Sequence, residues 1–197
     1  MELKEVILCL VDISGYTRFL QWNRTSLLHA EEIITNLLEA VISSARYPLR
    51  LNKLEGDAAL LYTPVETEPL ETALDVLKQA QNFFTAFQNQ QQELIATRNC
   101  PCDVCRRIEH LQLKIFLHHG QVIIKHVRQF EELAGEPVIL IHRLLKTELQ
   151  PRKFLLLSEA FYQLIGGAPE LQLRRHRQQV EDLGELTTHV FFPGGTA

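Results

Sequence analysis

Two aspartates, each placed at a turn between apolar segments, are the side chains best suited to chemistry. Asp12 follows the apolar run 6–11 and precedes a Ser-Gly pair, and Asp57 lies between two short extended segments. A carboxylate at the end of a buried strand can bind a divalent cation, while free backbone N–H groups at the following helix face phosphate oxygens. If the two turns meet at one edge of a sheet, the aspartates are candidate ligands of Mg²⁺ or Mn²⁺. The alternative for Asp12, a cap of the next helix, stays open.

Three clustered cysteines form a second candidate metal site. Cys100, Cys102 and Cys105 lie in the segment 99–107, whereas Cys9 is isolated in the first apolar run. The Cys-x-x-Cys spacing suits one tetrahedral ion, and Cys100 can supply a third thiolate. We favour structural zinc, with His110, Asp103 or a residue of a partner chain as the fourth ligand. Free surface thiols and redox switching are the alternatives.

The composition limits the class of protein. The chain has 197 residues, enough for one domain with a substantial core, and its 46% hydrophobic content is ordinary for a globular protein. A formal net charge of −4 provides no basic surface, so nucleic acid is not an expected partner. No apolar run approaches a membrane span, and residues 1–5 lack a signal-peptide pattern. We therefore expect a cytoplasmic protein without a membrane partner.

The hydrophobic patterning predicts an α+β fold in one domain, 1–197, with a cysteine-rich loop at 99–107. The helices are predicted at 16–22, 29–45, 70–95, 138–149 and 159–165, with a polar loop at 128–134. Strands are predicted at 6–11, 50–55, 58–63, 111–118, 122–127, 154–157, 171–173, 179–183 and 188–192. This order predicts a sandwich in which helices cover one side of a mainly antiparallel sheet.

Four segments, in the right order along the chain, resemble the class III nucleotidyl cyclases. DISGYT at 12–17 resembles the first metal motif of that family, and KLEGDA at 53–58 resembles the second. HGQV at 119–122 is similar to the family's small-residue hairpin, and 135–144 is similar to its last catalytic helix. The Cys-Pro-Cys-x-x-Cys insertion resembles that of a divergent branch of this superfamily. The resemblance implies a ferredoxin-like antiparallel sheet with helices, of the class III cyclase type.

The resemblance also implies a reaction, in which the ribose 3′-hydroxyl attacks the α-phosphorus of a nucleoside triphosphate and pyrophosphate leaves. Asp12 and Asp57 would hold two metal ions, with the backbone carbonyl of Ile13 as a further ligand. In the family's head-to-tail homodimer, Arg143 would reach the developing negative charge from the partner subunit. The backbone amides implied to bind the triphosphate are those of Ser14, Gly15, Tyr16 and Thr17.

Base selectivity and efficiency are implied by four further positions. Lys53 matches the base-reading position of adenine-specific members, and Glu132 falls where its companion stands, so ATP is the favoured substrate. Ile139 occupies the place of an Asn that active members use to orient the ribose, and the last hairpin lacks the family's phosphate-binding Lys. Removing one such hydrogen-bonding group costs a factor of ~10²–10³ in rate. The resemblance therefore implies a slow or degenerate cyclase or, alternatively, a non-catalytic module that binds nucleotide or protein and carries a zinc-stabilised loop.

Other polar groups are more simply explained by structure than by chemistry. His118 and His119 precede a glycine in an apolar segment, so one of them points inward as a structural histidine. The basic run 174–177 is predicted to be an exposed edge strand. Trp22 is predicted to lie in the core or in a dimer interface.

Overall fold

A computed structural model describes residues 1–21, 27–97, 100, 102–168 and 170–194, so the prediction for Trp22 lies outside the described residues. The strands are β1 (Glu2–Ser14), β2 (Arg50–Glu55), β3 (Ala58–Pro64), β4 (Gln112–Val127), β5 (Phe130–Ala134), β6 (Phe154–Ser158), β7 (Arg174–Val180) and β8 (Gly184–Phe191). The helices are α1 (Tyr16–Gln21), α2 (Leu27–Ser44), α3 (Pro69–Thr97), α4 (Asp103–Arg106), α5 (Glu136–Leu144) and α6 (Glu159–Leu164), with a 3₁₀ turn at Ile108–His110.

The strands form a single sheet built around β1. Their order is β2-β3-β1-β4-β6-β8-β7, with β5 paired to β4. All neighbours are antiparallel except β4 and β6, which are parallel. Residues 6–11 of β1 are completely buried, since both faces of this strand are covered. The predicted α+β class with a mainly antiparallel sheet is confirmed.

Helices cover both faces of the sheet, which corrects the prediction of a one-sided arrangement. Ile7 and Val11 of β1 pack with α2, α3 and α6, and the alternate residue Leu8 packs with α5. Ile141 and Leu144 of α5 are fully buried against this second face of the sheet, so α5 covers it. Among the described helices, none combines the length and apolar character needed to cross a membrane.

The predicted strand pair around Gly120 is in fact one continuous strand, β4. A Cβ atom on Gly120 would lie 2.7 Å from Cγ of Pro137. The glycine therefore allows the start of α5 to approach the sheet and does not form a turn. The true hairpin partner is β5, which occupies the segment predicted as a polar loop and pairs Ile123 with Ala134.

Three smaller boundaries also differ from the predictions. The cysteine segment 99–107 is predicted to be a loop, but its described part contains α4. Helix α5 ends at Leu144, short of the expected 149. No strand forms at 171–173, and β7 instead includes the basic run 174–177. Because β7 is the last strand of the sheet, the prediction of an edge strand there is confirmed.

Candidate functional site

Asp12 and Asp57 lie side by side at one end of the β1–β3 pair. Register places Asp12 opposite Ala58, and the backbone N–H of Ile13 donates to the carbonyl oxygen of Asp57 at 3.0 Å. Both aspartates are half-buried and line a cleft of about 840 Å³ together with the turn 14–17. We call this space the aspartate cleft.

The two carboxylates disfavour each other's negative charge. Burial, followed by the nearby charge of Asp12, raises the pKa of Asp57 to about 6. A cation placed between the carboxylates would relieve this repulsion, and carboxylate oxygens are the donors that Mg²⁺ and Mn²⁺ prefer. The donor set of the cleft therefore fits a hard divalent cation.

Lys114 is a member of the cleft that the sequence interpretation missed. It lies opposite Asp12 in the β1–β4 register, and its Nζ is 2.6 Å from Oδ2 of Asp12. The lysine is only 7% exposed, so this is a buried ion pair. A lysine inside the apolar segment 111–118 was the available signal, because a buried ammonium needs a carboxylate partner.

The turn 14–17 is held at the mouth of the cleft. Gly15 has φ of +98°, a conformation that glycine adopts without strain, and its carbonyl accepts from the N–H of Phe19 at 2.9 Å to start α1. The hydroxyl of Tyr16 donates to Oε1 of Glu31 on α2 at 2.5 Å. This hydrogen bond, with burial, raises the pKa of Tyr16 to about 12. Ser14, Gly15, Tyr16 and Thr17 all line the cleft.

Lys53 and Glu132 lie on two strands that touch each other. Nδ2 of Asn52 on β2 donates to the backbone carbonyl of Glu131 on β5 at 3.2 Å. Lys53 directly follows Asn52, and Glu132 directly follows Glu131. Nζ of Lys53 forms an ion pair with Oε1 of Glu55 at 2.8 Å. Neither residue is among those lining the aspartate cleft of the described chain.

Arg143 and Ile139 lie on α5, away from the lining of the cleft. The guanidinium of Arg143 pairs with Glu181 and, at 3.0 Å, with Oδ2 of Asp182, in the turn between β7 and β8. Ile139 is 55% exposed, which is unusual for a large apolar side chain. Within one chain, therefore, the structure does not bring Arg143 to the two aspartates.

The cysteines are joined by a histidine from a distant part of the sequence. The ligand atoms of His29, Cys100, Cys102 and Cys105 all lie within 4.8 Å of one another, and we call this group the cysteine–histidine cluster. The Sγ atoms of Cys102 and Cys105 each lie 3.7 Å from a ring nitrogen of His29.

The thiols of this cluster have different proton affinities. Burial raises the pKa of Cys105 to about 12, whereas the pKa of Cys102 is lowered to about 7. For Cys102 the effect of burial opposes the shift but is outweighed by hydrogen bonds from Cys105 and Cys100 and by the positive charge of His29.

His29 lies beside the three cysteines, where the sequence had suggested His110, Asp103 or a residue of a partner chain as the fourth ligand. His110 lines the aspartate cleft instead, and the side chain of Asp103 lies outside the described residues. Spacing along the chain could not reveal His29, because it is brought to the cysteines by the packing of α2.

Comparison with known sequences places the chain in a family. The family described as "Protein of unknown function (DUF2652)" matches residues 34–154. The chain belongs to the DUF2652 family. It is also 30% identical over 156 residues, 79% of this chain and 71% of the relative, to "Uncharacterized protein Rv2561/Rv2562" of Mycobacterium tuberculosis. The DUF2652 match includes Asp57, Lys114 and the three clustered cysteines, while Asp12 and His29 precede it.

Solved structures similar to this DUF2652 protein show its fold. The guanylate cyclase domain of RhGC from Catenaria anguillulae, in complex with GTP, superposes with a TM-score of 0.71 at 18% identity, over 97% of this chain and 98% of that one. The adenylyl cyclase CyaB from P. aeruginosa gives a TM-score of 0.72 at 16% identity, over 96% and 94%. The resemblance to class III nucleotidyl cyclase catalytic domains is thus confirmed as a shared fold.

Proposed function

We propose that the aspartate cleft binds a nucleoside triphosphate with Mg²⁺ or Mn²⁺ and slowly converts it into the 3′,5′-cyclic nucleotide, with ATP favoured. The observation that carries this proposal is the meeting of Asp12 and Asp57 in one cleft beside the turn 14–17. The similar solved domains are named as adenylyl and guanylate cyclases, which supports the same reaction class. Each subunit is one cyclase-like domain, 1–197, that carries the cysteine segment 99–107 as an insertion.

The aspartates are the proposed metal ligands, assisted by the backbone carbonyl of Ile13. A bound divalent metal would lower the pKa of the ribose 3′-hydroxyl and neutralise phosphate charge. Lys114 orients the carboxylate of Asp12, because its ammonium lies 2.6 Å from Oδ2. The raised pKa of Asp57 supports the need for a cation in the cleft.

The backbone of the turn 14–17 supplies the proposed phosphate contacts, and the proposed base contacts come from Lys53 and Glu132, which lie outside the cleft lining of their own chain. The amides of Ser14, Gly15, Tyr16 and Thr17 bind the triphosphate oxygens in this proposal. Lys53 and Glu132 read the adenine base, and the contact between their strands supports a joint role. A carboxylate such as that of Glu132 can accept a hydrogen bond from the exocyclic amine of adenine.

The active unit is a head-to-tail homodimer in which Arg143 acts in the cleft of the opposite subunit. Its ion pairs with Glu181 and Asp182 leave it outside the cleft of its own chain, which supports a role across an interface. Leu54, Phe130 and Ile139 are each more than half exposed, and a dimer would bury such apolar area. The developing negative charge at phosphorus is what an arginine would stabilise there.

A second function, nucleotide or protein binding without turnover, is favoured by one observation. Ile139 presents an apolar side chain where the cyclase resemblance places an Asn that hydrogen-bonds the ribose. Without that hydrogen bond, the cleft could bind a triphosphate and release it unchanged. The cysteine segment, stabilised by zinc, would then serve as a contact surface for a partner protein.

The deciding experiment is a turnover assay with Mn²⁺ and each of the four ribonucleoside triphosphates, read by mass spectrometry. Asp57→Asn removes one proposed metal ligand at constant size, and Asp75→Asn on α3 is the matched control at an exposed site. Cyclic product made by wild type and control but not by Asp57→Asn would establish the enzyme. Metal-dependent binding without product would favour the second function, and absence of both would overturn the nucleotide site.

A further inference from the structure

The cysteine–histidine cluster has the geometry of a closed metal site. Zinc–thiolate bonds of about 2.3 Å and a zinc–imidazole bond of about 2.0 Å place tetrahedral ligand atoms about 3.5 to 3.8 Å apart. Sγ of Cys102 lies 3.7 Å from Nδ1 of His29, and Sγ of Cys105 lies 3.7 Å from Nε2, so one sulfur–nitrogen pair has this spacing whichever nitrogen binds the ion. All four ligand atoms lie within 4.8 Å of one another. Four protein ligands fill a tetrahedral zinc ion and leave no position for substrate, which is typical of a structural site.

We propose that His29, Cys100, Cys102 and Cys105 bind one zinc ion, and that this ion fastens the first turn of α2 to the cysteine segment and so fixes the wall of the aspartate cleft. Three of the ligands come from a single segment, so they alone would order only that segment. With His29 as a ligand, the ion also fastens the cysteine segment to α2, which packs on the central sheet through Ile33 and Leu37.

The first route from the zinc site to the cleft runs along α2. Glu31 follows His29 by two residues and accepts the hydroxyl hydrogen of Tyr16 at 2.5 Å. Tyr16 begins α1 and lines the aspartate cleft. The position of the first turn of α2 thereby sets the position of the turn 14–17.

The second route runs through the 3₁₀ turn that follows α4. Nε2 of Gln91 on α3 donates to the carbonyl oxygens of Ile108 and Leu111, at 2.8 and 2.9 Å, and so holds this turn from behind. Its last residue, His110, lines the cleft, and the carbonyl oxygen of His110 lies 3.5 Å from the place a Cβ on Gly15 would take. The cysteine segment thus continues directly into the 3₁₀ turn, which faces the turn 14–17 across the cleft wall.

A cavity of about 320 Å³ lies beside the contact between these two walls. Gly15, Phe19, Arg107 and His110 are among its lining residues. A zinc ion that ties α2 to the cysteine segment adds a restraint between the two walls to the packing of Phe19, Ile108 and Leu111. Thiolate and imidazole donors also favour zinc over the Mg²⁺ or Mn²⁺ that suits the aspartates, so the two sites bind different metals.

Metal content of the full-length chain tests the ligand set. We expect one zinc ion per chain by elemental mass spectrometry, with zinc lost in Cys105→Ser and in Cys100→Ser, whose side chain is exposed and so tolerates substitution without unfolding. His29→Ala should weaken zinc binding at least tenfold in a chelator competition and shift the visible absorption of the cobalt-substituted protein, while Cys9→Ser and His110→Ala should leave both unchanged. Zinc binding that depends on His110 and not on His29, or a metal-free chain whose cysteines form a disulfide, would overturn the proposal.

Amide hydrogen exchange tests the coupling to the cleft. Removal of zinc by a chelator should speed exchange at 15–21 and at 105–111, and leave β6 and β8 unchanged. Faster exchange confined to 100–106 would show that the ion orders only its own segment and would overturn the coupling. That this wall shapes a nucleotide site rests on the proposed function. Zinc content and hydrogen exchange are both measured without nucleotide. Failure of the zinc proposal is therefore distinguishable from failure of the proposed function.

Discussion

The aspartate cleft and the cysteine–histidine cluster would hold their proposed cations in opposite ways. The cleft offers two carboxylates in an open, half-buried space, and Lys114 already neutralises one of them. The cluster offers three cysteine sulfurs and an imidazole whose ligand atoms all lie within 4.8 Å of one another. An open site can exchange water for substrate and can do chemistry, whereas a closed site can only stabilise structure. The two proposals therefore assign catalysis to the aspartates, and to the cysteines the task of maintaining the shape of the space around them.

The largest effect on stability is expected from Lys114→Met. This change leaves Asp12 buried without its counter-charge, and breaking a buried pair in this way costs about 3–5 kcal/mol. Denaturant unfolding should show this loss, with Lys78→Met on the exposed face of α3 as the control. Mn²⁺ should restore part of the stability of Lys114→Met, because the ion can replace the ammonium. If zinc restores the stability of Lys114→Met and Mn²⁺ does not, the proposed difference in metal preference between the two sites is wrong.

Asp12→Asn should separate the sites by function. Loss of one metal ligand in the cleft is expected to lower turnover by a factor of ~10²–10³, or to abolish it. Zinc content should stay unchanged, because Asp12 makes no contribution to the cysteine–histidine cluster. Turnover and zinc content are measured on the same preparation, and a parallel loss of zinc would contradict the separation.

His118 lies in the core that supports both sites, and it should make the stability of this core depend on pH. Burial, followed by the charge of His119, lowers the pKa of His118 to about 4 from its ordinary 6.5. The unfolded chain therefore binds more protons between pH 4 and 6.5, and the free energy of unfolding falls as pH drops through this window. The loss amounts to about 3 kcal/mol and should be absent above pH 6.5.

His118→Gln is the variant that isolates this effect. Its unfolding free energy, measured from pH 4 to 8, should vary less between pH 4 and 6.5 than that of the wild type. Glu159 and Glu185 line the same cavity as His118 and are present in both proteins, so the difference between the two curves reports the histidine. Identical curves would show that His118 is not kept neutral in the folded state.

The smallest effect is expected from Ile139→Asn. If the cleft lacks only the ribose hydrogen bond, restoring an amide should raise turnover about tenfold without changing nucleotide affinity, whereas Ile139→Leu should have no effect. The exposed site predicts a stability change within about 0.5 kcal/mol for both. Steady-state rates at saturating triphosphate give the measurement. An increase for both variants would point to a change in dimerisation instead.

The same two regions show what the sequence could predict. Asp12 and Asp57 were identifiable because each lies at a turn beside an apolar strand, within a segment that resembles a cyclase metal motif. Lys114 was missed because its strand was considered without its partner. His29 could not be found by spacing, since only the packing of α2 brings it to the cysteines. Gly120 misled the assignment of β4, because a glycine needed for close approach to Pro137 looks the same in sequence as a glycine needed for a turn.

The position of β1 has a consequence for how the chain is made. Its apolar run leaves the ribosome before both of its partner strands, because Glu2 pairs with Ile124 of β4 and Ile7 with both Thr63 of β3 and His119 of β4. The strand must therefore wait for the synthesis of β4 before both its edges are paired. Such distant pairing slows folding and exposes an apolar edge during synthesis. The segment at the centre of the finished sheet is thus the one that a nascent chain most needs to have shielded.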